Sequence, residues 1–233
     1  MPRQMSANRA HLVQKLRGHA YEKPLSTMRA YVADIHRLPY LGPRLAEGLA
    51  ARQFGYVTVA QPYHRIVNRL VVQLSAMSAT GPYAVVGYSL GGVLLRAALA
   101  LVDRPQPVHF VMIGTPNRAP LLARRLAGFA PFHWAVGEGG SKLAQEEFFR
   151  ELPVPRCPYT IIAGTRGPTG RLSPFLTAAN DGIIAVEETR VRDDDPVIEV
   201  PVTHAFLPNA GAVQAIVAER IAGAALPAAR GRA

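Results

Sequence analysis

One cysteine in 233 residues, Cys157, excludes an intramolecular disulfide and any CxxC metal site, so that thiol is expected to serve in packing. No stretch approaches the roughly 18 consecutive apolar residues that read as a membrane-spanning helix. Acids are few: 16 Asp and Glu face 26 Lys and Arg, a formal charge of +10. That surplus favours anionic partners such as acidic substrates or an anionic lipid surface. Nucleic acid is not expected, because aromatics make up only 7% and the arginines are dispersed rather than interleaved with them. Arg3, Arg9, Lys15 and Arg17 open the chain with no acid nearby, yet no apolar signal-peptide core follows. A basic arm over residues 1–29 and a cytoplasmic location are the expectation. Repeats are absent too, and the Ala-rich tail at 226–233 is the one biased segment.

What is present is 49% hydrophobic content, with 20 Pro and 20 Gly scattered between elements, enough for one substantial core. YVADI at 31–35 reads as a strand, followed by a polar loop and a helix over about 44–52 that Gly55 stops. YVTVA at 56–60 is the next expected strand, and 65–77 places its apolar residues on one helical face. Further strands are expected at 83–86, 108–113, 159–163 and 197–200, and helices at 93–101 and 211–224. Six strands alternating with helices predict right-handed crossovers and a mainly parallel sheet covered on both faces, in one α/β domain over 30–225.

The rhythm breaks at 117–157, where an Arg-rich helix (APLLARRLAG) and a second helix near 141–152 flank FAPFHWAVGEGG. Material inserted at a strand's carboxyl end tends to form a lid or pocket wall. Phe129, Phe132, Trp134, Phe148 and Phe149 are therefore candidates to line an apolar substrate site, with ordinary packing on the core as the competing use of the same rings.

The most informative stretch is YAVVGYSLGG at 83–92. An apolar strand pattern turns into a helix pattern within about four residues, with glycines at 87 and 91 around Ser89. So sharp a reversal brings backbones together where a Cβ would clash, and pushes the apex hydroxyl outward. This is the G-x-S-x-G nucleophile elbow, here GYSLG. A serine hydroxyl is a poor nucleophile at neutral pH, so it needs a base, and the base needs an orienting group. In this arrangement the order along the chain is Ser, then Asp or Glu, then His.

Among the histidines after Ser89, His109 lies inside a strand pattern and is expected to face the packed layers. His204, in PVTHAF just past the last strand, is the favoured base, and His133 in the insertion is second. For the acid, Asp181 in AANDGII follows the strand that ends at GTRG. Glu187 and Glu188 are rivals expected on an exposed edge, and Asp193 to Asp195 form a charge run expected in a solvated turn. The oxyanion needs donors: Leu90 N–H comes with the elbow, and the loop after YVADI would supply a second from Leu38 or Arg37.

With these residues assembled, the chain resembles the α/β-hydrolase superfamily, and within it the small bacterial triacylglycerol lipase and esterase-like proteins of compact, six-stranded form. The resemblance rests on GYSLGG with Ser89, GTPN at 114–117, GT at 164–165, NDG with Asp181, and His204. It implies a serine carboxylic-ester hydrolase acting through an acyl-enzyme on a small-molecule or lipid ester, without metal or organic cofactor. Acyl transfer and a catalytically silent binding module are the alternatives. Such proteins usually carry His-Gly and an apolar residue in the oxyanion loop, where this chain has His36, Arg37 and Leu38; a Cβ at that glycine resists positive φ, which implies a different loop path.

Overall fold

The computed structural model describes residues 29–34, 50–56, 61–127 and 141–225. In chain order the elements are β1 (Arg29–Asp34), β2 (Ala50–Gly55), α1 (Tyr63–Ser78), β3 (Tyr83–Tyr88), α2 (Leu90–Ala100) and β4 (His109–Ile113). They continue with α3 (Leu121–Leu126), α4 (Glu146–Glu151), β5 (Tyr159–Gly164), β6 (Val197–Val200) and α5 (Gly211–Ala225). Two 3-10 turns, Val186–Thr189 and His204–Asn209, flank β6.

The strands form one sheet in the order β2-β1-β3-β4-β5-β6, and every adjacent pair is parallel. A parallel sheet puts all carboxyl ends on one rim, and each connection must cross a face of the sheet. Strand β3 lies in the interior between β1 and β4, with Val85 opposite Tyr31 and Phe110. Its side chains alternate between two cores, as the period of a strand requires. Val85 joins Phe110, Met112 and Ile161 under α1 and α2, while Val86 joins Val111, Ile113 and Ile162 under α5. Helix α1 contributes Ile66, Leu70 and Leu74 to the first core, at the spacing of one helical face, and α5 contributes Val213, Val217 and Ile221 to the second. Cys157 is buried in the first core, where burial pushes its thiol up to about 11, so its role is packing.

The expected helix over 44–52 is corrected in its last turn: Ala50, Ala51 and Arg52 begin β2 and pair with Arg29, Ala30 and Tyr31. The Ala and Leu content of that stretch favours helix, but pairing with β1 overrides a weak local preference. Tyr56 stands just past β2, and the rest of the expected 56–60 strand lies outside the described residues, as do residues 35–49 and the expected basic arm up to residue 28, while Arg29, expected in that arm, opens β1. The helix expected over 141–152 is interrupted: residues 141 and 142 are helical, the helix breaks at 143–145, and α4 spans Glu146–Glu151.

Candidate active site

Strand β3 ends at Tyr88 and α2 begins at Leu90, so Ser89 alone makes the turn, with φ 51° and ψ −127°. That conformation is strained for a residue with a Cβ, by about 1–3 kcal/mol, and surrounding packing must hold it. The glycines show how. A Cβ on Gly87 would lie 2.4 Å from Gly92 Cα, and one on Gly92 would lie 2.1 Å from Thr115 Oγ1. Helix α2 can therefore start against the end of β3 only because neither residue has a side chain. Gly92 was not singled out by the elbow pattern; its signal is the second glycine of GYSLGG. Thr115 of the GTPN turn donates from Oγ1 to Gly87 O across 3.3 Å and closes the same contact from the β4 side.

His204 opens the 3-10 turn after β6, and its Nε2 lies 3.0 Å from Ser89 Oγ. Its Nδ1 lies 2.6 Å from Asp181 Oδ2. The other oxygen of Asp181 accepts from the N–H groups of Ile183 and Ile184 at 2.9 and 2.8 Å, which points the carboxylate at the imidazole. The backbones are tied as well, since His204 N donates to Asp181 O across 2.9 Å. Asp181 is 2% exposed, so its charge sits in a water-poor site where these hydrogen bonds count for more than in water. Ser89, Asp181 and His204, far apart along the chain, are brought by the fold into one hydrogen-bonded line.

Two strand ends make room for that line. A Cβ on Gly114, which has φ +51°, would lie 3.2 Å from His204 Cε1, and one on Gly164 would lie 2.8 Å from Asp181 Cβ. These are the first residues of the two GT turns. Tyr88, beside the serine, was missed: its hydroxyl donates to His204 O across 3.0 Å, and its ring lies 5.2 Å from the imidazole. Leu90 directly follows Ser89 and begins α2, and the N–H groups of a helix's first turn have no acceptor within the helix.

Other expectations resolve differently. Glu188 is not a free edge carboxylate: Oε1 accepts from Leu121 N at 2.6 Å and Oε2 from Ala185 N at 2.8 Å, joining the start of α3 to the acid loop. Burial raises its carboxyl against the pull of those two amides. Glu187 is exposed and pairs with Arg190. Within the 193–195 run, Asp193 and Asp194 are exposed, but Asp195 is buried, because its oxygens accept from Tyr159 Oη and Arg192 N, both at 2.7 Å. His109 is half-buried at the first residue of β4, on the sheet edge opposite Ser89, and its Nε2 lies 2.9 Å from Thr160 Oγ1. Phe149 is a core residue, and Phe148 stands edge-on to it and to Tyr63 at 5.2 and 5.5 Å, partly buried on that core. Leu38, Arg37, Phe129, Phe132, His133 and Trp134 lie outside the described residues. Among the described residues, no group of three or more His, Cys, Asp and Glu side chains is placed to hold a metal ion, and no helix is long and apolar enough to cross a membrane.

No family model matches the chain, and no curated protein sequence does. Solved structures do. The mature form of the lipase BlEst2 from Bacillus licheniformis superposes with a TM-score of 0.57 at 15% identity, over 88% of this chain and 96% of that one. A metagenome-derived lipolytic enzyme structure, described with LipS and LipT, gives 0.55 at 14% identity over 84% and 91%. Human thioesterase 2 gives 0.52 at 13% identity over 87% and 99%. With so little identity the likeness lies in the path of the backbone, and the chain has the α/β-hydrolase fold.

Proposed function

We propose that this protein is a serine hydrolase of carboxylic esters that works through an acyl-enzyme on Ser89. The observation that carries the reading is the Ser89–His204–Asp181 line, with distances of 3.0 and 2.6 Å, at a strained strand-to-helix apex. Ser89 Oγ attacks the ester carbonyl carbon while His204 Nε2 takes its proton, and Asp181 holds the Nδ1–H tautomer and stabilises the imidazolium. The carbonyl oxygen gathers negative charge toward Leu90 N–H at the start of α2, where the helix dipole assists; the second donor is assigned to Leu38 or Arg37. Collapse of the tetrahedral species returns the proton from Nε2 to the leaving alcohol. Water then enters by the same route in reverse roles and releases the acid, so the cycle needs no group from outside the chain. The lipolytic and thioesterase activities of its structural neighbours agree with this class of chemistry.

The test pairs Ser89→Ala with p-nitrophenyl esters of graded acyl length and with a fluorophosphonate probe. The expected result is loss of both turnover and labelling in a variant that keeps its circular dichroism. Undiminished turnover by folded Ser89→Ala would remove the serine from the reaction. Turnover confined to short acyl chains would make the enzyme an esterase and not a lipase.

A further inference from the structure

The segment between β5 and the acid loop carries several large apolar side chains that no core uses. Leu172 is fully exposed, Leu176 is 60% and Ile183 50% exposed, and Phe206, two residues past His204, is 67% exposed. Leu176 is also held at φ +54°, a region that branched and bulky side chains avoid, and its side chain still points to solvent. The segment is tied down: Gly167 N donates to Asn180 O at 2.7 Å, Asn180 Nδ2 to Pro168 O at 3.0 Å, and Gly170 N to Leu176 O at 2.8 Å. Its apolar residues are thus presented by a fixed backbone.

Charge accompanies them. Arg166 and Arg171 are exposed on the same segment, and neither is paired with a carboxylate among the described residues. The one acid between residues 165 and 185 is Asp181, which is buried against His204. Arg166 and Phe206 line one cleft of about 280 Å3 together with Pro201, Val202 and Thr203. Exposed leucine, isoleucine and phenylalanine beside unpaired guanidinium groups, with no exposed carboxylate among them, match a surface that is apolar within and anionic at its face. The chain's net charge of +10 adds long-range attraction of the same sign.

We propose that the 165–185 segment and Phe206 form a docking face for a lipid–water interface bearing anionic headgroups. Thr165 leaves the carboxyl end of β5, and Phe206 follows His204, so the face shares the rim of the sheet with Ser89. A docked bilayer would lie beside the serine. Docking does not depend on the serine chemistry, because binding is read without turnover.

The experiment is sedimentation with phosphatidylcholine vesicles, with and without about one-third phosphatidylglycerol, using the full chain and its Ser89→Ala variant. Both proteins are expected to bind, and to prefer the anionic vesicles. Leu172→Asp combined with Leu176→Asp should abolish binding to both vesicle types while turnover of a soluble short-chain ester stays unchanged. Arg166→Gln combined with Arg171→Gln should weaken binding to the anionic vesicles by roughly tenfold to thirtyfold, at about 1 kcal/mol for each charge. Substitutions at exposed positions leave folding intact, which circular dichroism checks. Three results would each overturn the proposal: no binding by the unaltered chain, equal binding by the variants, or a dimer in light scattering that Leu172→Asp dissociates. The last would identify a second copy of the chain as the occupant.

Discussion

Arg96 Nη1 donates to Asn117 Oδ1 across 3.1 Å, and both side chains are more than nine-tenths buried. The remaining guanidinium nitrogens donate to Leu152 O and Pro153 O, so a cation in the interior is held by three neutral oxygens, and burial pushes it down to about 10. Asn117 continues the chain of bonds, with Nδ2 donating to Thr189 O at 2.7 Å and its backbone N to Glu188 O at 2.8 Å. Helix α2, which begins just after Ser89, is thereby fastened to the segment that follows Asp181.

Asn117→Leu removes the amide from both partners while keeping similar bulk. Leaving a buried guanidinium and a carbonyl unsatisfied is expected to lower stability by about 2–4 kcal/mol. Urea unfolding checks this as a lower midpoint at unchanged slope. An unshifted midpoint would mean that water replaces the amide.

Asp181→Asn tests the orienting role. The asparagine oxygen can still accept from Ile183 and Ile184, which leaves the amide NH2 facing His204 Nδ1. The imidazole must then accept at Nδ1 and carry its proton on Nε2, the wrong tautomer for taking one from Ser89. On the proposed mechanism kcat falls about 10³–10⁴-fold with little change in KM. A loss below about tenfold would show that another group orients the histidine.

Gly92→Ala tests the close approach of α2 to the GTPN turn. The new methyl would meet Thr115 Oγ1 at 2.1 Å and Cβ at 2.8 Å, so the helix start or the turn must shift. Overpacking of this kind is expected to lower stability by about 1–3 kcal/mol and to reduce activity through displaced Ser89. Thr115→Gly in the same chain removes all three clashing atoms, and partial recovery of the melting temperature is the expected outcome.

His109 supplies a pH dependence of stability at the end of the sheet away from Ser89. Burial, and then the nearby Arg220, lower its pKa from the ordinary 6.5. The folded state therefore favours the neutral ring, and its stability contribution is complete above pH 6.5 and is lost as pH falls through the depressed folded value. His109→Gln can keep the bond to Thr160 Oγ1 but does not titrate, so its stability should decline less between neutral pH and mildly acidic pH. Denaturant midpoints measured across that range decide it; parallel declines would place the acid sensitivity elsewhere.

Much of the site was legible because its parts are local. A serine that turns a strand into a helix needs glycines at fixed offsets, and an acid and a base that serve it follow later strand ends, so Ser89, Asp181 and His204 stand out from spacing and order. Where long-range burial decides, the pattern misleads. Glu188 looked like a surface charge, and only the fold shows its carboxylate capping Leu121 and Ala185. Asp195 looked like part of a solvated run, and a contact with Tyr159, 36 positions away, buries it. Residues 50–52 looked helical, and the neighbouring β1 made them a strand.

The alternation of strands and helices, hence a parallel sheet, and the elbow that strains Ser89 are written locally in the chain, because steric rules act between residues close along it. Tertiary structure alone decided that Gly114 and Gly164 clear space for the histidine and the acid, that Tyr88 braces His204, and that Arg96 and Asn117 tie the helix to the acid loop. Those relations join segments tens of residues apart, where one side chain's environment is set by another's packing and no local pattern carries the information.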